Sequence, residues 1–294
     1  MFEDCTSLTN VTIGTSLTSI GVDTFRYCSS LTSVTIPNGV INIGNGAFGE
    51  CISLAGVTIP NSVTAIGWQA FISCTSLTNV TIPNGVIDIG YAAFAQCTSL
   101  AGVTIGTNVT TIGDGAFYDC TSLTSVTIGT HVTSIGSGGN GIGAFQSCVR
   151  LTSVTIPASV SYIAPLAFAG CTNLTSVYLQ GNAPGVNSTA FSGDNHTTIY
   201  YLPWSTGWGA NFGGVPTWNP QVQSSGPSFG VHTNRFGFNI TGNSNLVVVV
   251  LASTNFAAPI WFPITTNPLV NGSFYFSDPQ WTNYSSRFYR LRSP

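Results

Sequence analysis

Eight cysteines stand at positions 5, 28, 51, 74, 97, 120, 148 and 171, and cysteine can bridge, bind metal or attack a substrate. The step from each to the next is constant except for a longer one between Cys120 and Cys148. A zinc site needs C-x-x-C pairs or accompanying histidines, and neither is present. Residues repeating at a fixed interval through stacked coils sit about 4.8 Å apart and point the same way, whereas a disulfide brings its Cβ atoms to about 3.8 Å. The spacing therefore reads as a column of reduced thiols facing a core, where cysteine behaves as a small hydrophobe.

The other groups with chemistry are scattered. His131, His196 and His232 share no metal or triad spacing. Asp194, close to His196 in GDNHT, reads as a polar surface loop. Gly136 to Gly141 (GSGGNG) fits G-x-G-x-x-G, but a dinucleotide site needs a strand before it, a helix after it and an acid about 20 residues on. GAFQSC follows instead, so SGGNGIG (137 to 143) reads as an insertion loop that marks one side of the repeat for contacts. There is no G-x-S-x-G, no H-E-x-x-H and no evident carboxylate pair. No catalytic residue, metal ligand or cofactor site is predicted, and the chain reads as a non-enzyme.

Composition narrows the partners. Only 5% of residues are charged and lysine is absent, against a usual charged share of about 25%. A net charge of −3 gives no basic footprint for nucleic acid and no polybasic membrane patch. The longest apolar run, Leu246 to Ala252, is far short of the roughly 18 residues of a membrane span.

The elements that must carry these residues repeat with the cysteines. CISLAGVTIPNSVTAIGWQAFIS (51 to 73) and CTSLTNVTIPNGVIDIGYAAFAQ (74 to 96) are nearly one phrase. Phe-x-x-Cys-x-x-Leu has the spacing of one short helical or 3₁₀ turn, and Val-x-Ile the period of a strand. Pro37, Pro60, Pro83 and Pro157 end that strand. Gly44, Gly67, Gly90 and Gly113 are expected to turn the chain with positive φ. One unit cannot close a core, but stacked units bury each other's apolar faces.

The phrase C-x-x-L-x-x-V-x-I-P-x-x-V-x-x-I-G-x-x-A-F resembles the BspA-like type of the leucine-rich repeat family, from residue 2 to about 180. The resemblance implies a repeat solenoid with a parallel β-sheet on its concave face and short helical turns on the convex side. It also implies a bacterial protein, secreted or at the cell surface, that binds host proteins or other cells. FEDC (2 to 5) matches the tail of a repeat, so the chain is expected to begin inside a coil, with any signal sequence and N-terminal cap lost.

The expected domains are the solenoid (1–179), its C-terminal cap (180–222) and a small antiparallel β-sandwich (223–294). The cap is rich in aromatics, Gly and Pro, as an end cover for an open apolar coil would be. The module's strands are FGVHTNRFGFNIT, LVVVVLAST, WFPITTN, GSFYFSD and RFYRLRS, separated by turns such as TGNSN and NPLVNG. LVVVVL is expected to be a central strand buried on both faces, and the ending resembles the C-terminal β modules of secreted proteins of Verrucomicrobia-type bacteria. Arg287, Arg290 and Arg292 read as a solvated strand edge.

The functional candidates are the outward residues of the repeated strand: Thr12, Thr35, Thr58, Thr81, Thr104, Thr127 and Thr155. They form an uncharged hydroxyl ribbon that reads as solubilising strand residues or as a contact surface for a protein or carbohydrate ligand. The leading expectation is a non-catalytic adhesion or binding protein. The alternative is a structural protein that self-associates through its N-terminal coil into a surface layer or filament. Ice binding is a minor reading, because the neighbouring column alternates Thr18, Ile41, Thr64, Ile87 and Thr110.

Overall fold

A computed structural model describes residues 2–202, 205–218, 220–242 and 246–292. The chain divides into two compact units, Met1–Val215 and Pro216–Pro294.

The first unit is a solenoid of parallel strands with two ladders per coil. The short Ile strand forms an eight-stranded parallel sheet: Ser19–Ile20, Asn42–Ile43, Ala65–Ile66, Asp88–Ile89, Thr111–Ile112, Ser134–Ile135, Tyr162–Ile163 and Gly185–Val186. The Val-Thr strand forms three smaller parallel sheets. They are Ser33–Thr35 with Gly56–Thr58; Asn79–Ile82, Gly102–Ile105 and Ser125–Thr127; and Ser153–Ile156, Ser176–Leu179 and Thr198–Tyr201. Equivalent residues pair directly, as Val80 with Val103 and Thr81 with Thr104. That register follows from a period-two pattern in which Val and Ile face the core and Thr faces out.

The Phe-x-x-Cys-x-x-Leu segments are turns, and among the described residues of the solenoid none forms a helix. The reason is where their backbone donors go. Gly46, Phe48 and Glu50 donate N–H to the carbonyls of Trp68, Ala70 and Ile72 in the next coil at 2.8–2.9 Å. Alternate amides are thus bonded along the stack, and an α-helix would need them within the turn. The residue before each cysteine makes this possible by adopting positive φ, as at Tyr27, Glu50, Gln96 and Asp119.

Inside, the rings of Phe25, Phe48, Phe71, Phe94, Phe117, Phe145, Phe168 and Phe191 stack at centroid distances of 5.1–5.5 Å, and the exposed Phe2 stacks on Phe25 at 5.5 Å. Each offset pair adds about 0.5–1.5 kcal/mol beyond area burial. Cys28 through Cys171 are fully buried beside this spine as free thiols. Each donates S–H to the phenylalanine carbonyl of the coil before, as Cys74 to Phe48 and Cys97 to Phe71 at 3.2 Å.

The glycines after the second Ile correct the sequence reading. Gly44, Gly67, Gly90 and Gly113 do not have positive φ. They are small because the preceding coil lies against them. A Cβ on Gly67 would stand 2.6 Å from the Gly44 carbonyl carbon, and one on Gly90 2.8 Å from that of Gly67.

Past Leu179 the ladders gain one more coil, through Gly185–Val186 and Thr198–Tyr201. Trp208 then stacks on Tyr201 at 4.6 Å and Phe212 leans on Phe191 at 6.4 Å, so aromatic residues cover the last rung.

The second unit consists of antiparallel sheets. Arg235–Thr241 pairs with Gly230–His232, Gln221–Val222 and Ser273–Asp278. Val247–Ser253 lies between Phe262–Pro268 and Phe288–Arg292. Val248, Val249, Val250 and Leu251 are all buried, as expected of a central strand. Residues 243–245 of the expected TGNSN turn lie outside the described residues. A cluster of Phe238, Ile240, Leu246, Val248, Val250, Leu269 and Phe276 joins the sheets.

Arg287 is not on a solvated edge. Its Nε lies 2.6 Å from Oδ2 of the buried Asp278, and its guanidinium sits 4.2 Å over the Tyr284 ring. Tyr289 also donates its hydroxyl to Asp278 at 2.9 Å. Arg290 lies 4.6 Å over the Trp261 ring, and Arg292 is exposed.

Candidate functional site

All seven candidate threonines are exposed. Thr35 pairs with Thr58, and Thr81, Thr104 and Thr127 form one continuous row. Thr155 continues the column, next to Tyr178 and then Tyr200, whose rings stack at 5.1 Å. Thr12 precedes the first strand of this ladder. The hydroxyl ribbon thus ends on two tyrosines, a change of chemistry that was present in SVYL and TIYY but not read from them.

What separates this column from the chain's many other threonines is hydrogen bonding. Hydroxyls at the coil corners donate to carbonyls one coil back: Thr32 to Thr9, Thr78 to Ala55, Thr124 to Ala101 and Thr175 to Thr152. Thr64, Thr110 and Thr133 do the same beside the other ladder. These replace the water that exposed carbonyls would otherwise bind. None of the seven candidate threonines uses its hydroxyl on a protein partner among the described residues, so the outward ribbon keeps its donors and acceptors.

Beside the middle of that ribbon runs a shallow groove of about 620 Å³. Thr81, Thr104 and Thr127 form one wall, and the strand ends at Pro60, Pro83 and Gly106 the other. Asn61 and Asn84 stand along it. It contains no charged residue, which follows from a repeat that places Pro-Asn-Gly after the strand.

The remaining sequence candidates do not assemble. His131, His196 and His232 are exposed in separate places, and His131 Nδ1 lies 2.7 Å from the Thr107 carbonyl oxygen. Among the described residues, no three His, Cys, Asp or Glu side chains converge on a metal position.

Asp194 is a correction. It is only 1% exposed, because it lies one repeat step beyond Cys171 and takes the cysteine position of the last coil. Its N–H bonds the Phe191 carbonyl just as that of Cys171 bonds Phe168. Its side-chain oxygens have no hydrogen-bond partner. Burial raises its pKa to about 7, and the nearby backbone N–H groups of Cys171 and Gly170 pull it back only in part. Thr197 likewise takes the leucine position and donates its hydroxyl to the Leu174 carbonyl at 2.5 Å.

The glycine-rich insertion does bind an anion, but the anion belongs to the preceding coil. Asp114, buried, accepts from Ser137 Oγ at 2.6 Å, Gly138 N at 3.0 Å, Gly139 N at 3.1 Å and Asn140 N at 3.2 Å. Burial alone would raise its pKa, and these donors outweigh that to hold it below the usual carboxylate range. The loop is a backbone nest closed on an internal carboxylate.

Two parallel ladders, a buried Phe and Cys spine and one recurring phrase define a leucine-rich repeat solenoid. The BspA type leucine-rich repeat region matches residues 1–123 and 88–206, and the chain belongs to that family. No curated protein sequence matches the chain. Among solved structures, a leucine-rich repeat protein of Bacteroides ovatus is similar at 22% identity and a TM-score of 0.49, over 68% of this chain. The match spans only 56% of that protein's own length. A leucine rich cell surface protein of Faecalibacterium prausnitzii is similar at 28% identity and a TM-score of 0.40, over 68% of this chain and 67% of its own. The leucine-rich repeat protein of T. pallidum is similar at 26% identity and a TM-score of 0.43, over 62% and 72%. No helix among the described residues is long and apolar enough to cross a membrane.

Proposed function

We propose that this is a non-catalytic binding protein, secreted or displayed at the cell surface, that holds a protein or glycan ligand against its threonine ribbon. The carrying observation is that the hydroxyls of Thr58, Thr81, Thr104 and Thr127 have no protein partner among the described residues while the corner hydroxyls do. Hydroxyls bonded to the fold contribute stability, and hydroxyls left outward on a fixed strand are available to a ligand. The groove of Pro60, Asn61, Pro83 and Asn84 beside them supplies apolar contact and amides without charge. Membership of the BspA-type family supports the reading, since leucine-rich repeats present side chains on a rigid scaffold.

The test is binding of the intact chain to immobilised extracellular-matrix proteins and polysaccharides, compared with a Thr58→Glu, Thr81→Glu, Thr104→Glu variant. These side chains point outward, so the variant should stay folded, with a melting temperature lowered only by repulsion between the stacked carboxylates, and lose binding. Binding that survives the triple change removes the ribbon as the contact surface.

A further inference from the structure

A second cleft in the solenoid shares no lining residue with the groove and has another chemistry. It encloses about 350 Å³, within the range of small-ligand sites. Its row is Asn45, Trp68 and Tyr91, the residue after Ile-Gly in three successive coils. Asp23 and Arg26 stand at one end, paired at 3.1 Å, and Asn140 of the insertion at the other.

Trp68 is 63% exposed, the most of any tryptophan among the described residues. Leaving an indole in water forgoes the free energy that burying a large apolar side chain contributes. The ring is not displayed on a loose loop. Asn45 Oδ1 accepts the Trp68 N–H at 2.9 Å, and the Trp68 carbonyl accepts the Gly46 N–H at 2.9 Å. The backbone is therefore fixed from the neighbouring coil, and the indole is held out from a rigid rung.

The insertion acquires a purpose in this setting. Asn140 Nδ2 donates to Asp114 at 3.2 Å, which fixes the amide and leaves its oxygen as an acceptor. The one lengthened coil thus supplies the end wall of the cleft that holds the exposed indole. The charges of Asp23 and Arg26 offset each other, and the row between the walls is uncharged. An indole face, a phenol and amides around a neutral trough match a sugar ring, which offers a C–H face to an aromatic ring and hydroxyls at its edge. Three coil steps separate Asp23 from the level of Tyr91, about 14 Å, the length of a short oligosaccharide.

We propose that this cleft binds a neutral oligosaccharide, with Trp68 as the stacking platform and Asn45, Tyr91 and Asn140 meeting the hydroxyls. The assignment does not rest on the threonine ribbon, and the two fail separately. The test is native electrophoresis of the full chain through gels containing soluble β-glucan, xylan, galactomannan or glycol chitin. It is followed by titration of tryptophan fluorescence with the matching oligosaccharide. Retardation in at least one gel is expected. Trp68→Ala should weaken binding about tenfold or more, the loss of one packed aromatic contact, and Trp68→Phe less. Phe256→Ala, which removes an exposed aromatic ring that lines neither the cleft nor the groove, should leave retardation as in the wild type. No retardation in any gel overturns the proposal, as does retardation of Trp68→Ala equal to the wild type or a loss caused by Phe256→Ala as large as that caused by Trp68→Ala.

Discussion

Ser137 Oγ donates to Asp114 Oδ2 at 2.6 Å across two successive coils, and this bond anchors the one irregular coil. Asp114→Ala should leave the N–H groups of Gly138, Gly139 and Asn140 without their acceptor. The expected cost is about 1–3 kcal/mol in urea denaturation. Loop 137–143 should then be cut faster by thermolysin at Ile142. Asp114 has its pKa lowered in the fold, so it adds stability above the usual carboxylate range that is lost as pH falls through its folded pKa. An Asp114→Ala protein with wild-type cleavage and wild-type acid sensitivity would show that the nest holds nothing in place.

Asp194 titrates in the opposite sense. Its folded pKa is about 7 against an ordinary 3.8, so the fold favours the protonated acid. The stability it adds is complete below about pH 4 and is lost as pH rises through about 7. Melting temperature followed from about pH 4.5 to about pH 8.5 should fall over that window more in the wild type than in Asp194→Asn. Asp194→Cys restores the thiol of the column and should stabilise the protein at pH 8 by about 1–3 kcal/mol, the usual penalty of an unpaired buried polar group. Identical slopes in wild type and Asp194→Asn would refute this.

The packing of Gly67 gives a paired test. A Cβ there meets the backbone of Gly44 and Asn45 at 2.6 Å, whereas one on Gly21 meets only the Thr24 hydroxyl at 3.2 Å. Gly67→Ala should separate two coils and cost about 1–3 kcal/mol or more, the range of overpacking. Gly21→Ala should cost little. Equal denaturation midpoints for the two variants would contradict close coil approach as the reason for glycine.

Much of this was legible from one phrase. The Val-x-Ile alternation and the constant repeat step give the ladders, because period two fixes which residues face the core and equal steps fix the register. The glycine role was misread because a turn and a close approach both call for glycine, and one coil alone does not show its neighbour. Asp194 was misread for a related reason: GDNHT has loop composition, and only counting one repeat step on from Cys171 puts it in the core. The short turns looked helical because Phe-x-x-Cys-x-x-Leu has helical spacing, yet their amides bond the next coil. The threonine column was visible as a candidate, but the distinction between engaged and unengaged hydroxyls needs the stack. The Trp68 cleft was not read at all, since its residues come from separate coils and an insertion. Its available signal was one indole and one phenol in a column whose other residues, Val22, Asn45, Asp114 and Ser137, are not aromatic.

The thiol column predicts a pattern of reactivity. The thiolate is the nucleophile, and burial pushes the pKa of Cys51 up to about 12 and those of Cys74, Cys97 and Cys120 well above the ordinary thiol value. Neighbouring thiols in the column oppose ionisation further, and the phenylalanine carbonyls accept S–H without favouring S⁻. Cys5 is half-buried at the first rung. A disulfide-exchange reagent such as Ellman's should therefore titrate Cys5 promptly in the native protein at pH 8 and leave the other seven for global unfolding. In denaturant all eight should react, because all are free. Prompt native labelling of Cys74, Cys97 or Cys120 would mean that the coils open readily. A shortfall from eight in denaturant would mean that bridges form within or between chains.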